Sequence, residues 1–275
     1  MKRSLLVLAL AFVMLTIVLG VREWSLQPDH HTHISFFDVG QGDSALIVTP
    51  SGRTVIIDGG PDWSTLEGIG SSLPFFHRTI DVLILSHANL DHLASFPEIL
   101  TRYRVTTLYV SIDTVQSPWF LKVLHSAEQS HTTVKTIRHG DTIALDTDCM
   151  IDVLWPPKRI DPSLVKELNN TSLVLRLHDE KRSALFTGDM ESIVEEALLR
   201  AGIPLQSDIL KVAHHGSKTS STDAFLRAVH PKIAVISVGK GNTYGHPNAD
   251  VIRRLTAVGA TVRRTDAEGV IHIMW

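Results

Sequence analysis

The chain has one cysteine, Cys149, in 275 residues. A single thiol cannot close an intramolecular disulfide, and it excludes zinc or iron–sulfur centres built from several thiolates. Bulk charge is lacking too. The 26 Lys and Arg against 29 Asp and Glu leave a net charge of −3, so the chain as a whole has no electrostatic pull on nucleic acid or anionic lipid. There is no low-complexity tract, no short repeat, and only one long apolar run. What is abundant is histidine, with 15 residues. Any metal must therefore be held by imidazoles and carboxylates. At 44% hydrophobic and 20% charged, the composition is that of a globular chain able to bury a full core.

The apolar run, residues 4–21, follows Lys2 and Arg3 and carries only Ser4 and Thr16 as polar side chains. As a helix it would rise about 27 Å, close to the thickness of a bilayer's hydrocarbon core. Residues 1–22 read as a membrane anchor or signal segment. The anchor is favoured because no clean small-residue cleavage pattern follows. The basic flank holds this end in the cytoplasm and sends the rest across. The expected location is the extracytoplasmic face of the membrane, or the exterior if the segment is cleaved. No cysteine follows the run, so a lipid-modified cysteine there is excluded. Residues 23–33 read as a polar linker whose His30, His31 and His33 are solvated.

From residue 34 to 275, short β-rich runs alternate with amphipathic helical stretches, within the size of one domain. Strands are expected at 34–39, 45–49, 54–58, 82–86, 107–110, 151–154, 172–177, 184–187, 209–212, 233–238 and 270–274. Several are continuous apolar runs, as for strands covered on both faces. Helices are expected at 92–103, 118–128, 191–201, 222–229 and 249–258, each with apolar residues three or four apart. The pattern is that of layered α/β structure.

Polar residues gather where apolar strands end: IDGG (57–60), SHANLDH (86–92), TGDME (187–191), AHHGS (213–217) and, after 233–238, YGHP (244–247). Layered α/β folds tend to place function at strand ends. His87, Asp91 and His92 supply the imidazole and carboxylate that a borderline divalent cation needs. A further carboxylate must come from elsewhere in the chain; Asp189 is the natural candidate, and His214 completes a shell.

The ordered series DVGQGDS (38–44), IDGG, SHANLDH, NNTSLVLRL (169–177), LFTGDME, LKVAHHGS (210–217), ISVG and YGHP resembles the metallo-β-lactamase superfamily. More narrowly it resembles the extracytoplasmic hydrolase domain of ComEC-type competence proteins. The match runs from about residue 33 to the C-terminal end. With one apolar segment in place of a multi-span channel, the chain is expected to be a stand-alone anchored or secreted relative. The resemblance implies an α/β fold, an αββα four-layer sandwich preceded by one N-terminal hydrophobic helix, with residues 34–275 as the hydrolase domain and a metal site at one edge between two sheets. The superfamily's H-x-H-x-D-H pattern falls on His87, Asn89, Asp91 and His92. Asn89 stands where the ComEC branch usually has Asp, and a carboxamide is a much weaker ligand. The family's next histidine is also absent, with Asn170 in its region. The resemblance therefore implies metal ligands His87, Asp91, His92, Asp189 and His214, with His214 favoured over His215. It implies one well-held divalent ion, Zn or Mn, and a weak second site.

The implied chemistry is metal-assisted hydrolysis. Asp91 would ligate and orient water, and His246 would act near the leaving group. Asn89, Asn170 and His215 are further candidates for metal or substrate contact. Ser172, Ser217, Lys218 and Ser220 are candidate contacts for an anionic substrate, and Asp58 is expected to steady a histidine or a turn. Residues 201–275 hold nine Lys or Arg against five Asp or Glu, a basic flank that suits a phosphodiester. The leading expectation is a nuclease or phosphodiesterase acting on single-stranded DNA or another phosphodiester, as in DNA uptake during competence. The alternatives are another envelope hydrolase, such as a phosphocholine esterase or lactonase, and a non-catalytic protein binding DNA or glycan. Oligomeric state is not legible.

Overall fold

The continuous apolar strands are explained by what covers them. In the central strands, Ile47, Val55, Ile57, Val82 and Ile84 point to one side, and Leu46, Ile56, Leu83 and Leu85 to the other. Both sets are buried, so the period of two runs between two apolar faces and the sequence shows no polar alternation.

The computed structural model describes residues 2–111 and 117–275. Among these residues the strands are β1 (His33–Phe36), β2 (Ala45–Val48), β3 (Thr54–Ile57), β4 (Thr79–Leu85), β5 (Arg104–Val110), β6 (Thr133–Thr136), β7 (Thr142–Ala144), β8 (Met150–Trp155), β9 (Val174–His178), β10 (Ser183–Phe186), β11 (Ile209–Lys211), β12 (Ile233–Ile236), β13 (Thr261–Arg264) and β14 (Ile271–Met274). The helices are α1 (Lys2–Ser25), α2 (Ser64–Ser72), α3 (Leu90–Leu93), α4 (Phe96–Arg102), α5 (Pro118–Gln129), α6 (Ser192–Arg200), α7 (Asp223–Val229), α8 (Ala249–Ala257) and α9 (Thr265–Glu268).

Two seven-stranded sheets result, in the orders β14-β1-β2-β3-β4-β5-β6 and β13-β12-β11-β10-β9-β8-β7. Their inner faces share one core, in which the rings of Phe36 and Phe186 stack at 5.8 Å between centroids. Residues of α3, α4 and α5 cover the outer face of the first sheet, and those of α6, α7 and α8 the outer face of the second. This is the expected αββα sandwich, with α1 ahead of it.

All eleven expected strands are present. The three not foreseen, β6, β7 and β13, are edge strands of the two sheets. Edge strands are short and half-solvated, and TVKT and TVRR carry no run of apolar residues to announce them. The helix expected at 92–103 is instead two, α3 and α4, parted at Ala94 and Ser95 with Pro97 opening the second. The α2 helix was also unforeseen, because STLEGIGSS holds two glycines. At Gly68 the reason is contact: a Cβ there would overlap the ring of Phe37.

In the first sheet β3 and β4 run parallel, and in the second β10, β11 and β12 do. Parallel strands deliver their C-terminal loops to the same edge. Five loops rich in polar residues therefore meet there.

Candidate metal centre at the sandwich edge

Each loop delivers a side chain by a local device. Asp58 follows β3 directly, with a left-handed backbone at φ 61°. The Asp58 carboxylate accepts hydrogen bonds from Ser86 N (2.8 Å), Ser86 Oγ (2.7 Å) and His92 Nδ1 (2.9 Å). It thus ties the ends of β3 and β4 and fixes the His92 ring, as expected for a residue steadying a histidine. After β10, Gly188 turns left-handed at φ 50°, and a Cβ there would overlap the side chain of Ser172. Only a glycine brings Asp189 this close to the first sheet. After β11, His214 and His215 are consecutive left-handed residues, φ 51° and 53°. Each such residue costs on the order of 1–3 kcal/mol, a strain found where a site requires it.

The turn sends the two histidines apart, their ring centroids 6.3 Å from one another. His215 turns inward. Its Nδ1 donates to the Ser237 carbonyl at 3.0 Å, and its Nε2 lies 3.4 Å from Asp91 Oδ2 and 3.5 Å from Asp189 Oδ2. His92 Nε2 lies 3.4 Å from Asp189 Oδ1 and 3.8 Å from Asp91 Oδ2. One ligand atom from each of Asp91, His92, Asp189 and His215 falls within 4.8 Å of the others. His92, Asp189 and His215 are buried, whereas the Asp91 side chain is 33% exposed and marks the open side.

This group fits a divalent cation. Nε2 of His92, Nε2 of His215 and Oδ1 of Asp189 are buried without a hydrogen-bond partner. Three such atoms facing one point carry a large desolvation cost unless a cation meets them. The other ring nitrogen of each histidine is already engaged, which fixes the ring and the nitrogen offered inward. Electrostatics agrees. Burial opposes charge on His92 and His215, yet Asp189, with Asp58 beside the first and Asp43 beside the second, raises both imidazoles well above their ordinary range. Burial likewise opposes charge on Asp189, and His215 and His92 overcome it, so its carboxyl is held well below the ordinary value. The surrounding carboxylates favour positive charge here, which protons on the imidazoles or a cation in their place can supply.

His214 occupies a different place from the one the family resemblance favours. It is half-buried outside the four-residue group, 3.4 Å by Nε2 from Asn169 Nδ2, 3.3 Å by Nδ1 from Thr219 Oγ1 and 5.8 Å between ring centroids from His246. The consecutive left-handed residues place His215, and not His214, beside Asp91, His92 and Asp189. His87 is buried with its Nε2 unpartnered and its ring 4.2 Å from that of His92. Burial, then His92, pushes its pKa down to about 3, so it is a neutral imidazole facing the same region. Asn89, the next residue of the motif, donates instead to Asn169 Oδ1 at 2.7 Å.

Several other candidates lie within the fold. Asn170 is buried, its Oδ1 accepting from Glu191 N at 3.0 Å and its carbonyl from Trp155 Nε1 at 2.9 Å. Ser172 Oγ donates to the Asn169 carbonyl and accepts from Asp189 N, so it braces the Asp189 loop. Ser217 Oγ meets Thr219 Oγ1 at 3.1 Å, and Ser220 Oγ donates to the Met190 carbonyl. All three serines are buried, so the fold takes up the hydroxyls expected to contact substrate. Lys218 is exposed. His246 is half-buried, and Asn242 orders its loop by accepting from His246 N and donating to the His246 carbonyl. Burial, then His214, lowers the His246 pKa.

Five of the nine basic residues expected as a flank over residues 201–275 pair with carboxylates. Lys211, Lys232, Arg253, Arg263 and Arg264 pair with Asp43, Asp208, Asp250, Glu268 and Asp266. The first of these pairs is buried and underlies the site. Lys211 Nζ lies 2.6 Å from Asp43 Oδ2, while Asp43 Oδ1 lies 3.3 Å from His215 Nδ1. Burial would raise the Asp43 carboxyl, but Lys211 and His215 together, with His92, outweigh it and lower the pKa to about 2. Asn169 and Glu191 also line the region without having stood out in the sequence. Their only signal is membership of the motifs NNTSLVLRL and TGDME.

Comparison with known proteins agrees with this architecture. Residues 37–240 match the metallo-beta-lactamase superfamily. The chain is 32% identical over 256 residues to ComE operon protein 3 of Bacillus subtilis, covering 87% of this chain and 32% of that protein. It is 31% identical over 288 residues to competence protein ComA of Neisseria gonorrhoeae, covering 98% of this chain and 38% of that one. It thus spans about a third of the length of these relatives. Among solved structures, the metallo-beta-lactamase fold protein YhfI of Bacillus subtilis superposes with a TM-score of 0.57 at 12% identity, covering 88% of this chain and all of that one. The superfamily fold implies a divalent metal, and the cluster at the sandwich edge lies where the loops of both sheets converge. The chain belongs to the metallo-beta-lactamase superfamily and is related to the ComEC-type competence proteins.

Proposed function

We propose that this chain is a divalent-metal-dependent phosphodiesterase, acting on single-stranded DNA or another phosphodiester outside the cytoplasmic membrane and held there by α1. The observation that carries the reading is the convergence of unpartnered, buried Nε2 of His92, Nε2 of His215 and Oδ1 of Asp189 beside the half-open Asp91. These four residues would hold the ion, Zn or Mn. Bound there, it would supply Lewis acidity and lower the pKa of water to near neutrality. The relation to ComEC-type competence proteins supports DNA as the substrate class.

The chain's own residues supply the rest. Asp58 and the Ser237 carbonyl hold His92 and His215 as ring donors of fixed orientation. Asp91, on the solvent side, is the group placed to accept a proton from an attacking water. His246 and His214 stand together on the same approach. With its pKa lowered, His246 works as a neutral imidazole whose N–H donates to a phosphate oxygen. The Asn89–Asn169–His214 chain occupies the side where a second ion would need a carboxylate, so the reading is of one tightly held ion.

The test is a panel of single-stranded DNA, a model phosphodiester, a phosphocholine ester and a lactone, offered to the full chain with Mn²⁺ or Zn²⁺. The reading expects phosphodiester cleavage that Asp189→Ala abolishes. Turnover confined to the lactone, or full activity in the Asp91→Ala, Asp189→Ala double variant, would reject it.

A further inference from the structure

The structure pins α1 to the sandwich. Residues Ser4–Ser25 of this helix are long and apolar enough to cross a membrane, and none of that surface is buried in the fold. At its C-terminal end, Arg22 donates to the carbonyls of Gly70 (2.8 Å) and Ser71 (3.4 Å), the last turn of α2. There the guanidinium meets carbonyls that lack an intrahelical partner and the negative end of the helix dipole. Glu23 Oε2 accepts from Phe75 N at 2.7 Å. Two adjacent residues thus fasten the helix to the turn between α2 and β4.

That turn carries the sandwich's most exposed phenylalanines. Phe75 is 62% and Phe76 84% exposed, with ring centroids 5.1 Å apart edge-to-face. The Arg78 guanidinium lies 5.7 Å from the Phe75 ring centre and donates to the carbonyls of Phe75 and His77. Trp24, 79% exposed, sits on α1 beside Arg22 and Glu23. Leaving large aromatics in water is unfavourable, whereas aromatic rings beside cationic groups are favoured at the lipid headgroup level.

We propose that Phe75 and Phe76 insert into the bilayer interface where α1 leaves the membrane, so that the turn between α2 and β4 and Trp24 form one membrane-contact surface holding the sandwich in a fixed orientation. The partner is the lipid bilayer itself. Charge does not carry the association; aromatic burial and the connection to α1 do. The inference rests on the reading of α1 as a retained anchor.

The test uses the full chain in lipid vesicles, with an environment-sensitive fluorophore placed in turn at Phe76→Cys, at Leu10→Cys within α1, and at Arg200→Cys on α6 in the opposite outer layer. Cys149 is buried, and burial raises its thiol pKa to about 12, so it stays unlabelled. The expected result is several-fold stronger quenching by nitroxide lipids at position 76 than at 200, with blue-shifted emission, and strong quenching at position 10. Quenching at 10 with position 76 behaving like 200 would overturn the inference while leaving the anchor in place. Absence of quenching at 10 would overturn both.

Discussion

Asp58 accepts a 2.9 Å hydrogen bond from Nδ1 of His92 and so leaves Nε2 of that ring aimed at Asp189. The relationship joins the end of one strand to the loop after its neighbour, and it sets which nitrogen faces the metal cluster. Removing such a carboxylate typically costs 10–100-fold in metal affinity. Asp58→Ala is expected to weaken Zn²⁺ or Mn²⁺ binding by about that factor. Competition titration with a chelating dye measures it. Unchanged affinity would mean that the His92 ring is held by packing alone.

The Lys211–Asp43 pair predicts an asymmetry in stability. Lys211→Ala leaves a carboxylate buried without its cation, a loss of roughly 3–5 kcal/mol. The Asp43→Asn, Lys211→Met double variant removes both charges and should recover much of that loss. Denaturant unfolding of the single and double variants would contradict this if the double were the less stable. The sign with pH follows. The Asp43 pKa in the fold, about 2, lies below the ordinary 3.8, so its contribution is complete above about pH 4 and is lost as pH falls towards 2. The double variant should lose less stability over that window.

Asn89→Asp removes the N–H that reaches Asn169 and places a carboxylate beside His87, whose buried Nε2 has no partner. The expected outcome is a second bound ion per chain at excess Mn²⁺ or Zn²⁺. Isothermal titration reads the stoichiometry directly. A value still at one would show that the polar chain through Asn169 and His214 does not hold the second position empty.

Much of this was legible because it depends on local chemistry. Apolar strands covered on both faces announced themselves by continuous Val, Ile and Leu, and the motifs at their ends marked the edge where the loops meet. The edge strands TVKT and TVRR were silent, because their register comes from a neighbour and not from their own pattern. The candidate site divides in the same way. Asp91, His92 and Asp189 lie together where spacing and resemblance suggested. Which of His214 and His215 faces the cluster depends on two successive left-handed residues, which no side-chain pattern encodes. The serines after AHHG looked like anion contacts in sequence. Only the three-dimensional fold shows their hydroxyls bracing backbone, as Ser220 does for Met190.

Cys149 offers an independent check on the core. Its side chain is buried, and burial, with Asp146 and Asp179 nearby, holds the thiol pKa at about 12. The thiolate is the reactive species, so the native protein should not react with a maleimide at pH 8 and should react fully once denatured. Rapid labelling of the native protein would place Cys149 outside the core.

The central claim is that Asp91, His92, Asp189 and His215 hold one divalent cation. The most direct measurement is the metal content of the purified full chain, compared with His215→Ala and His214→Ala by elemental mass spectrometry. The account predicts about one ion per chain in the parent, its loss in His215→Ala and its retention in His214→Ala. Loss in His214→Ala with retention in His215→Ala, or a parent chain that takes up no Zn²⁺ or Mn²⁺, would contradict it.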